Sequence, residues 1–453
     1  MRVIALVDGE HHPPVTRWAL ASARADGFDV LAAVMVGGVE KLGMDDPGLD
    51  LGESKLVGPG PDPRRAMEAA IAAYQPEAVL DLSDEPVMSV EFRMELAAVA
   101  LVQGVAYLGP DFRFDPPIRD EPLPVPTLAV IGSGKRVGKT AIGGHVAAIA
   151  AAAGERPVLV AMGRGGPPWP ATAGPEDVTL QALMARAERG EHAASDYLED
   201  ALIAGVPTIG ARRAGGGLAG RPFVTNVADA ARRAAAGGAG MVIMEGSGAS
   251  LPTVPWDAGV MVMPASASPE AFACSLGPIR MLLSDLAVFI IDVGPSAGPD
   301  NLSALESLAR RLRADIRVAI AELEPIPLAD VRGKDAFFAT TAHRELADRL
   351  ADKLERTAGC RVVSISSRLA DRAGLEEDLA AAPHFDVLLT ELKAAAVDVA
   401  ARRALATGAE VVFVANRPKA VGGDGDLDDL LRETVRLAGE RAQRRLEPSG
   451  LGE

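Results

Sequence analysis

The stretch TLAVIGSGKRVGKTAIGGHVAAIAAAAG, residues 127–154, decides the fold. It begins with an apolar run typical of a strand covered on both faces and ends in an alanine-rich segment that predicts a buried helix. Between them, GSGKRVGKT at 132–140 is a glycine-rich turn whose backbone N–H groups can face phosphate oxygens, and the following helix N-terminus adds its positive dipole end. The stretch therefore predicts a phosphate-binding loop between a strand and a helix.

The loop departs from the GxxxxGK[ST] pattern because Ser133 stands at the first glycine position, with Gly132 one residue earlier. This spacing resembles the loop of dethiobiotin synthetase and its relatives, a P-loop branch with small-molecule ligases, partitioning ATPases and metallochaperone GTPases. Lys139 is expected to reach the β- and γ-phosphates, and the Thr140 hydroxyl to bind Mg²⁺. The predicted nucleotide-binding residues are Gly132, Ser133, Gly134, Lys135, Arg136, Val137, Gly138, Lys139, Thr140, Ala141 and Asn416.

Polar residues follow three other predicted strands. Glu245 ends MVIME and precedes a glycine turn, and this segment is similar to EGAGG of dethiobiotin synthetase. A carboxylate at that edge of a parallel sheet can hold the Mg²⁺ of a nucleotide, or it can simply cap the strand. Arg164 follows a central strand and can bind phosphoryl oxygens bidentately, unless it is a solvated loop arginine. Asn416 can read adenine or form an Asx turn.

A second glycine-rich segment, ARRAGGGLAG at 211–220, predicts a flexible loop. Arg212 and Arg213 lie in it beside the glycines, so it is a candidate for a lid that closes over a ligand.

Length and composition restrict the function. The 453 residues are 48% hydrophobic and 24% charged, which fits two or three globular domains and excludes fibrous or disordered classes. A net charge of -16 without a lysine-rich block argues against a nucleic-acid binder or a polybasic membrane anchor. Two cysteines outside any CxxC spacing predict neither zinc nor disulfides, and no apolar run approaches the roughly 18 residues of a membrane helix. We expect a cytoplasmic protein.

Strand and helix patterns alternate along the chain, which predicts an α/β fold with mostly parallel sheets. Residues 1–110 predict a smaller, Rossmann-like α/β domain that is a candidate for substrate binding. A proline-rich linker is predicted at 111–126, and a P-loop ATP-binding catalytic domain at 127–453. Leucines and valine at helical spacing over 426–446 predict a closing helix.

Six segments together resemble the cyclic 2,3-diphosphoglycerate synthetase family. They are VDGEHHPPV at 7–15, DLSDEP at 81–86, YLGPDFRFDPP at 107–117, GSGKRVGKTA at 132–141, MGRGGPP at 162–168 and TELKAAAVDVA at 390–400. The resemblance implies an ATP-dependent ligase that closes 2,3-bisphosphoglycerate into a ring through an intramolecular phosphoanhydride and releases ADP and phosphate. ATP and this acid would be the partners, Mg²⁺ the cofactor, and a homodimer is possible.

The nucleophile of that reaction is itself a phosphate, so no serine, cysteine or general base is required, and catalysis should rest on cations that position polyanions. Asp8 and Glu10, after the first strand, can hold such cations or a second Mg²⁺. The predicted catalytic residues are Lys139, Lys135 and Arg164. The predicted substrate-binding residues are His11, His12, Arg17, Arg113, Arg136, Arg164 and Lys393. The predicted metal ligands are Thr140 and Glu245.

Two alternatives stay open. One is a ligase that activates a carboxylate as an acyl phosphate, as dethiobiotin synthetase does. The other is a nucleotide-dependent switch or metallochaperone, although no Cys/His cluster for metal delivery is visible in the sequence. Lys393 also has a simpler interpretation, an ion pair with Glu391.

Overall fold

The computed structural model describes residues 1–38, 41, 51, 55–57, 62–291 and 298–447. The chain forms two compact units. The first comprises Met1–Ile118, Leu218–Arg221 and Pro269–Leu283, and the second comprises Arg119–Gly217, Pro222–Ser268 and Ser284–Glu453. Packing defines these units, and the sequence boundaries at residues 110 and 126 stay a prediction.

The elements alternate as the sequence patterns predict. The strands are β1 (Arg2–Val7), β2 (Asp29–Met35), β3 (Lys55–Val57), β4 (Ala78–Asp81), β5 (Ala106–Leu108), β6 (Arg113–Phe114), β7 (Thr127–Gly132), β8 (Pro157–Gly163), β9 (Ala171–Ala173), β10 (Thr208–Ala214), β11 (Val224–Thr225), β12 (Met241–Glu245), β13 (Ala258–Pro264), β14 (Leu286–Ile290), β15 (Arg317–Pro327), β16 (Asp335–Ala339), β17 (Arg361–Ser366), β18 (Val387–Thr390) and β19 (Glu410–Gly423). The helices are α1 (Pro13–Ala25), α2 (Pro63–Tyr74), α3 (Val90–Val102), α4 (Lys139–Ala152), α5 (Leu180–Glu188), α6 (Asp196–Ala204), α7 (Val227–Ala236), α8 (Pro269–Cys274), α9 (Pro278–Leu282), α10 (Pro299–Leu312), α11 (Arg344–Ala358), α12 (Arg372–Ala381), α13 (Arg402–Ala406) and α14 (Leu427–Leu446).

The first unit is built on a sheet with the strand order β3-β2-β1-β4-β5-β6. Strands β1 to β5 pair in parallel, and β6 pairs antiparallel with β5. Strand β1 is covered on both faces, since Ile4 and Leu6 pack into one core and Val3 and Ala5 into the other. Ile279, from the segment Pro269–Leu283, packs into the same core as Ile4 and Leu6. The Rossmann-like α/β prediction for this part of the chain is confirmed.

The second unit contains a sheet whose described strands run in the order β11-β10-β8-β12-β7-β13-β14-β15-β19-β18-β16-β17, with β9 paired to β10. The pairs β10-β8, β8-β12, β12-β7 and β7-β13 are all parallel, so their carboxyl ends lie at one edge. Ligands of open parallel sheets bind at that edge. The predicted P-loop α/β fold with a mostly parallel sheet is confirmed.

One strand of this sheet contradicts the sequence interpretation. The predicted lid at 211–220 begins inside β10, which contains both Arg212 and Arg213. The paired arginines hide the strand pattern, because β10 is short of apolar residues at its end. Alternation along a strand sends neighbouring side chains to opposite faces, which allows each arginine a separate environment. Neither arginine therefore belongs to a flexible lid.

Strands β15 and β19 form a long antiparallel ribbon in the middle of the same sheet. Ala319 pairs with Gly423 at one end, and Pro327 pairs with Val414 at the other. Strand β15 also pairs with β14 on its opposite edge, and β19 with β18. The ribbon therefore joins the strands around the P-loop to the C-terminal strands in one continuous sheet.

The closing helix predicted over 426–446 is confirmed as α14. Asp426 caps it by accepting hydrogen bonds from the backbone N–H groups of Asp428 and Asp429. Near its C-terminus, Arg441 is paired with Asp285 and Arg445 with Asp257, both carboxylates being buried. Among the described residues, no helix has the length and apolar character that a bilayer span requires.

Candidate functional site

The glycine-rich loop lies between β7 and the N-terminus of α4, as the sequence predicts. Gly138, at the helix N-cap, has a φ of 94°, and Arg136 has a φ of 62°, a left-handed conformation that is uncommon for a residue with a side chain. In the described structure, the backbone N–H groups of Gly134 to Gly138 donate to no protein acceptor. An anion at the start of α4 would satisfy them.

Lys139 folds back over its own loop. Its ammonium group donates a 2.6 Å hydrogen bond to the Gly134 carbonyl oxygen, and the residue is only 8% exposed. A Cβ on Gly132 would lie 2.9 Å from the Lys139 Cδ, so this glycine gives the lysine stem its path. Burial lowers the pKa of Lys139 to about 8, while the carboxylates of Glu245 and Asp196 act in the opposite direction. A phosphate bound in the loop would replace the carbonyl as its partner.

Glu245 ends β12, between β7 and β8, opposite Val130 and Ala161. It is buried, and among the described residues its Oε1 atom has no hydrogen-bond partner. Burial raises the pKa of Glu245 to about 8, against the lowering effect of Lys139. The carboxyl group lies against the first turns of α4, where a Cβ on Gly143 would be 1.8 Å from Oε1.

An unpartnered buried carboxylate oxygen beside the phosphate loop fits a cation. Thr140, half-buried in the first turn of α4, is the second predicted ligand. The described residues contain no group of three or more His, Cys, Asp or Glu side chains close enough to hold a metal ion by themselves. The donor set thus fits a divalent cation that takes its other ligands from nucleotide phosphates and water.

Helix α6 brings three further carboxylates to this region, and sequence reasoning missed all of them. Asp200 is fully buried, and neither of its oxygens has a hydrogen-bond partner among the described residues. Burial first, and then Glu245, raise its pKa well above its usual range. The Asp196 carboxylate lies at the end of β8, where a Cβ on Gly163 would be 2.8 Å from its Oδ2. The third, Glu199, is buried as well.

Lys393 is bound by carboxylates. Its ammonium lies 3.0 Å from Glu199 Oε1 and 3.9 Å from Glu391 Oε1. Burial opposes its charge, but these two carboxylates raise the pKa of Lys393 above its ordinary value. The ion pair with Glu391 that the sequence allowed is present, and a second carboxylate joins it. The predicted contact of Lys393 with a substrate stays a prediction.

Asn416 lies in β19 and its side chain is already hydrogen-bonded. Its Nδ2 donates to Glu391 Oε1 at 2.9 Å. The other oxygen of Glu391 accepts from the Thr340 hydroxyl and from the Thr341 hydroxyl and backbone N–H, each at 3.2 Å. Adenine recognition by Asn416 stays a prediction, and it would have to use the atoms that this network leaves available.

The two arginines at the end of β10 lie in different environments, as alternation along a strand predicts. Arg212 Nε donates to the Gly166 carbonyl at 2.9 Å, and its backbone N–H donates to Asn226 Oδ1 at 2.6 Å. Arg212 therefore fastens the loop that carries the exposed Arg164. Arg213 points to the other side and is buried. Lys135 and Arg136 are exposed in the phosphate loop.

In the first unit, Asp8 organises the segment after β1. Its Oδ1 accepts hydrogen bonds from the backbone N–H groups of Glu10 and His11 and contacts His11 Nδ1 at 2.8 Å. Its Oδ2 accepts from the Asp84 backbone at 2.7 Å. Asp8 thus builds the turn after β1, and whether it also holds a cation stays a prediction. The His11 ring is held by Asp8 and stays about one-third exposed.

The other predicted substrate ligands of this unit have different settings. His12 is exposed at the N-cap of α1 and makes no capping hydrogen bond through its side chain. Arg17 is half-buried in α1. Arg113 lies in β6, where its guanidinium group is 3.0 Å from Asp115 Oδ1. Whether these residues bind substrate stays a prediction.

Comparisons with known proteins cover nearly all of the chain. Three family models match, namely the cyclic 2,3-diphosphoglycerate synthetase N-terminal domain at residues 2–115, its P-loop domain at 127–321 and its C-terminal domain at 327–417. The chain belongs to the cyclic 2,3-diphosphoglycerate synthetase family. The resemblance stated from the sequence is confirmed.

Curated relatives of the same name agree over their full lengths. The cyclic 2,3-diphosphoglycerate synthetase of Rubrobacter xylanophilus is 44% identical over 96% of this chain and 98% of its own. That of Pyrococcus abyssi is 39% identical over 97% and 98%. That of Methanothermus fervidus is 36% identical over 96% and 97%. Among solved structures, LpxK from Aquifex aeolicus covers 71% of this chain and 90% of its own at 11% identity, with a TM-score of 0.37, which is too low to support an argument.

The sequence of this synthetase-family member pointed to the phosphate loop and Glu245, but not to the carboxylates of α6. The segment ASDYLED at 194–200 has the pattern of an ordinary helix start with acidic residues in the first turn. The available signal was weak, an acidic pair on the inward face of a short helix. Only the packing of α6 against α4 and β8 shows that these carboxylates approach Lys139 and Glu245.

Proposed function

We propose that this protein is an ATP-dependent ligase that forms cyclic 2,3-diphosphoglycerate from 2,3-bisphosphoglycerate, with release of ADP and phosphate. The observation that supports the reaction type is the order β8-β12-β7 at one sheet edge. It gathers Arg164, Glu245 and the phosphate loop at the carboxyl ends of three adjacent parallel strands. Family membership along the whole chain supports the choice of substrate.

The site has the properties that two polyanions require. Lys139 and the open N–H groups of the phosphate loop would bind the β- and γ-phosphates of ATP. Thr140 and Glu245 would hold Mg²⁺, which supplies charge neutralisation for the nucleotide. Arg164, exposed at the end of β8, would contact the phosphoryl group in transfer, together with Lys135 and Arg136.

The chemistry can proceed by two phosphoryl transfers. One substrate phosphate attacks the γ-phosphorus of ATP, the bond to the β-phosphate oxygen breaks, and ADP leaves. The second substrate phosphate then attacks the phosphorus of the first, which closes the ring and expels the added group as inorganic phosphate. Neither step needs a protein nucleophile, so the chain contributes positioning and positive charge.

The decisive experiment follows the reaction by ³¹P NMR with ATP, Mg²⁺ and 2,3-bisphosphoglycerate. The resonances of a cyclic pyrophosphate should appear together with ADP and phosphate in equal amounts. Accumulation of ADP and phosphate alone would refute the synthetase, and turnover only with a dicarboxylate or an amine would favour the carboxylate-activating ligase.

We also propose that His11, His12 and Arg17 of the first unit bind the acid substrate, and that Arg113 and Lys393 have supporting roles. The ring of His11, held through Nδ1 by Asp8, leaves its Nε2 as the atom for a phosphate oxygen. His11→Ala should raise KM for 2,3-bisphosphoglycerate while KM for ATP stays the same. Equal kinetics for both substrates would remove the first unit from substrate binding.

A further inference from the structure

A second cationic feature lies beside the phosphate loop. Arg164 and Arg213 line a cavity of about 560 Å³ in the second unit, together with the glycine segment 215–217 and the Ala249–Ser250 turn. A Cβ placed on Gly248 would be 3.3 Å from the Nη2 atoms of both arginines. Two guanidinium groups therefore meet at the same point of the cavity wall.

The positive charge of this pair is not neutralised by the protein. Arg213 is 7% exposed, and its Nη1 and Nη2 donate to the carbonyl oxygens of Gly215 and Ser247, each at 2.8 Å. Its buried Nε donates to no partner among the described residues. Across the same part of the chain, neither guanidinium group forms an ion pair with a carboxylate.

Burial, and then the nearby charge of Arg164, lower the pKa of Arg213. The like charges of the two neighbouring guanidinium groups repel each other, and an anion bound between them would offset this repulsion. A buried guanidinium with an open N–H and no carboxylate partner is a built anion site rather than a surface arginine.

The backbone around the pair is shaped for close approach. Gly248 has a φ of 60°, and a Cβ there would press on both guanidinium groups. A Cβ on Gly216 would lie 2.9 Å from the Ser250 hydroxyl oxygen. Ser247 and Ser250 exchange backbone hydrogen bonds of 3.0 Å, which closes a tight turn immediately after Glu245. The turn thus connects the carboxylate beside the phosphate loop to the carbonyl that holds Arg213.

The strand order distinguishes the ligand of this cavity from the nucleotide. The phosphate loop follows β7, whereas Arg164 and Arg213 belong to the ends of β8 and β10, on the other side of the strand that carries Glu245. Both arginines are still near enough to lower the pKa of Lys139. A phosphate held by the pair would therefore lie on the acceptor side of the transferred phosphoryl group.

We propose that Arg213 and Arg164 together bind a phosphate group of the phosphorylated acid substrate, which makes Arg213 a substrate-binding residue. This inference rests on the proposed function for the identity of the acid. The cavity and its unneutralised guanidinium pair carry it, and the ligand class is a small organic phosphate with at least two negative charges.

The test measures two dissociation constants by calorimetry on the full chain, one for 2,3-bisphosphoglycerate without nucleotide and one for a non-hydrolysable ATP analogue with Mg²⁺. Arg213→Met should weaken binding of the acid about 10- to 100-fold, because a charge-assisted pair of hydrogen bonds is lost. Binding of the ATP analogue should change by less than about threefold. Arg232→Met, which removes an exposed arginine paired with Asp229, is the matched control and should change neither constant.

Two further variants distinguish the loss of a ligand contact from misfolding of the protein. Arg213→Lys keeps the charge and should recover part of the affinity for the acid. Arg164→Met changes an exposed side chain and should weaken binding of the acid by a similar factor. Equal weakening of the acid and the ATP analogue would assign the pair to the nucleotide and overturn the inference. Unchanged binding of the acid in Arg213→Met and Arg164→Met, or no binding of the acid by the unmodified protein, would also overturn it.

The NMR assay separates this inference from the proposed function. Cyclic product with a dissociation constant that does not depend on either arginine would leave the synthetase intact and remove the phosphate subsite. Arginine-dependent binding of the acid without cyclic product would keep the subsite and remove the synthetase reaction.

Discussion

At the scale of single residues, the site is held by polar groups that lack ordinary partners. Glu245 has an open buried oxygen, and Asp200 has two. Lys139 uses a loop carbonyl in place of a phosphate. Each of these groups carries an unfavourable free energy of desolvation that a bound ligand can relieve. These residues, whose hydrogen-bonding capacity is least satisfied in the described structure, are therefore expected to change their contacts most when nucleotide binds.

Lys139→Ala should lower kcat by on the order of 10²- to 10³-fold, because the phosphoryl group loses a preorganised cation. Steady-state rates with saturating ATP and 2,3-bisphosphoglycerate measure this. Lys334→Ala, which breaks a surface ion pair with Glu410, is the control and should leave the rate unchanged. A wild-type rate in Lys139→Ala would exclude the loop as the phosphate site.

Glu199→Gln should change how stability depends on pH. Burial raises the pKa of Glu199 to about 7 from an ordinary value of 4.5, even though Lys393 opposes this shift. Between these two values the folded protein binds more protons than the unfolded chain, so the wild type loses stability relative to the variant as pH rises.

Urea unfolding at several pH values between 4.5 and 7 should show the free-energy difference between wild type and Glu199→Gln moving against the wild type by at most about 1.4 kcal/mol per pH unit. Glu188→Gln, at an exposed position of α5, is the matched control for the substitution. If the free-energy difference between wild type and Glu199→Gln did not vary with pH, the Glu199 carboxyl group of the wild type would titrate normally in the folded protein.

At the scale of elements, the packing of α4 over β12 depends on a missing side chain. Gly143 lies where a Cβ would come within 1.8 Å of Glu245 Oε1, so the helix can approach the carboxylate only with glycine at this position. In an exposed helix, by contrast, glycine is unfavourable relative to alanine. The same substitution should therefore have opposite effects in α4 and in α14.

Gly143→Ala should lower the free energy of unfolding by about 1–3 kcal/mol and reduce activity, because Glu245 or the helix has to move. Gly439→Ala, in α14 with no atom within 4 Å of the added Cβ, should raise stability by about 0.5–1 kcal/mol. Thermal unfolding and activity of the two variants measure this. Gain of stability by Gly143→Ala would contradict the close approach.

The sequence predicted the parts of the fold and site that follow from local patterns. Apolar runs bounded by turns indicated β7, β8 and β12, and the glycine spacing indicated the phosphate loop. It missed β10, whose two arginines broke the apolar pattern, and β16, a run of five residues at 335–339. It also missed the carboxylates of α6 and the pairing of Arg213 with Arg164, because both depend on contacts between segments far apart in the chain.

At the scale of the whole molecule, the C-terminal helix is joined to the sheet of the second unit by buried charge pairs. Asp285 accepts hydrogen bonds from Arg313 and from both terminal nitrogens of Arg441, at 2.6–3.0 Å. It also accepts one from the Gly259 backbone at 3.0 Å. One carboxylate, 9% exposed, thus connects α14 to β13 and to the segment after α10.

Asp285→Asn should lower the free energy of unfolding by about 3–5 kcal/mol, because two guanidinium groups lose their common partner. Chemical denaturation of the full chain measures this. Asp229→Asn, in an exposed pair with Arg232, should cost less than about 1 kcal/mol. Similar values for the two variants would show that Asp285 contributes no more than a surface ion pair.

The ribbon of β15 and β19 also limits how related chains can be recombined. The family models divide the sequence between residues 321 and 327. In the folded chain that division falls inside the run of pairs from Ala319–Gly423 to Pro327–Val414. A chimera joined there would combine two halves of a hydrogen-bond ladder from different parents. A crossover at the N-terminal end of α10, with the whole of β15 to β19 taken from one parent, keeps that ladder intact.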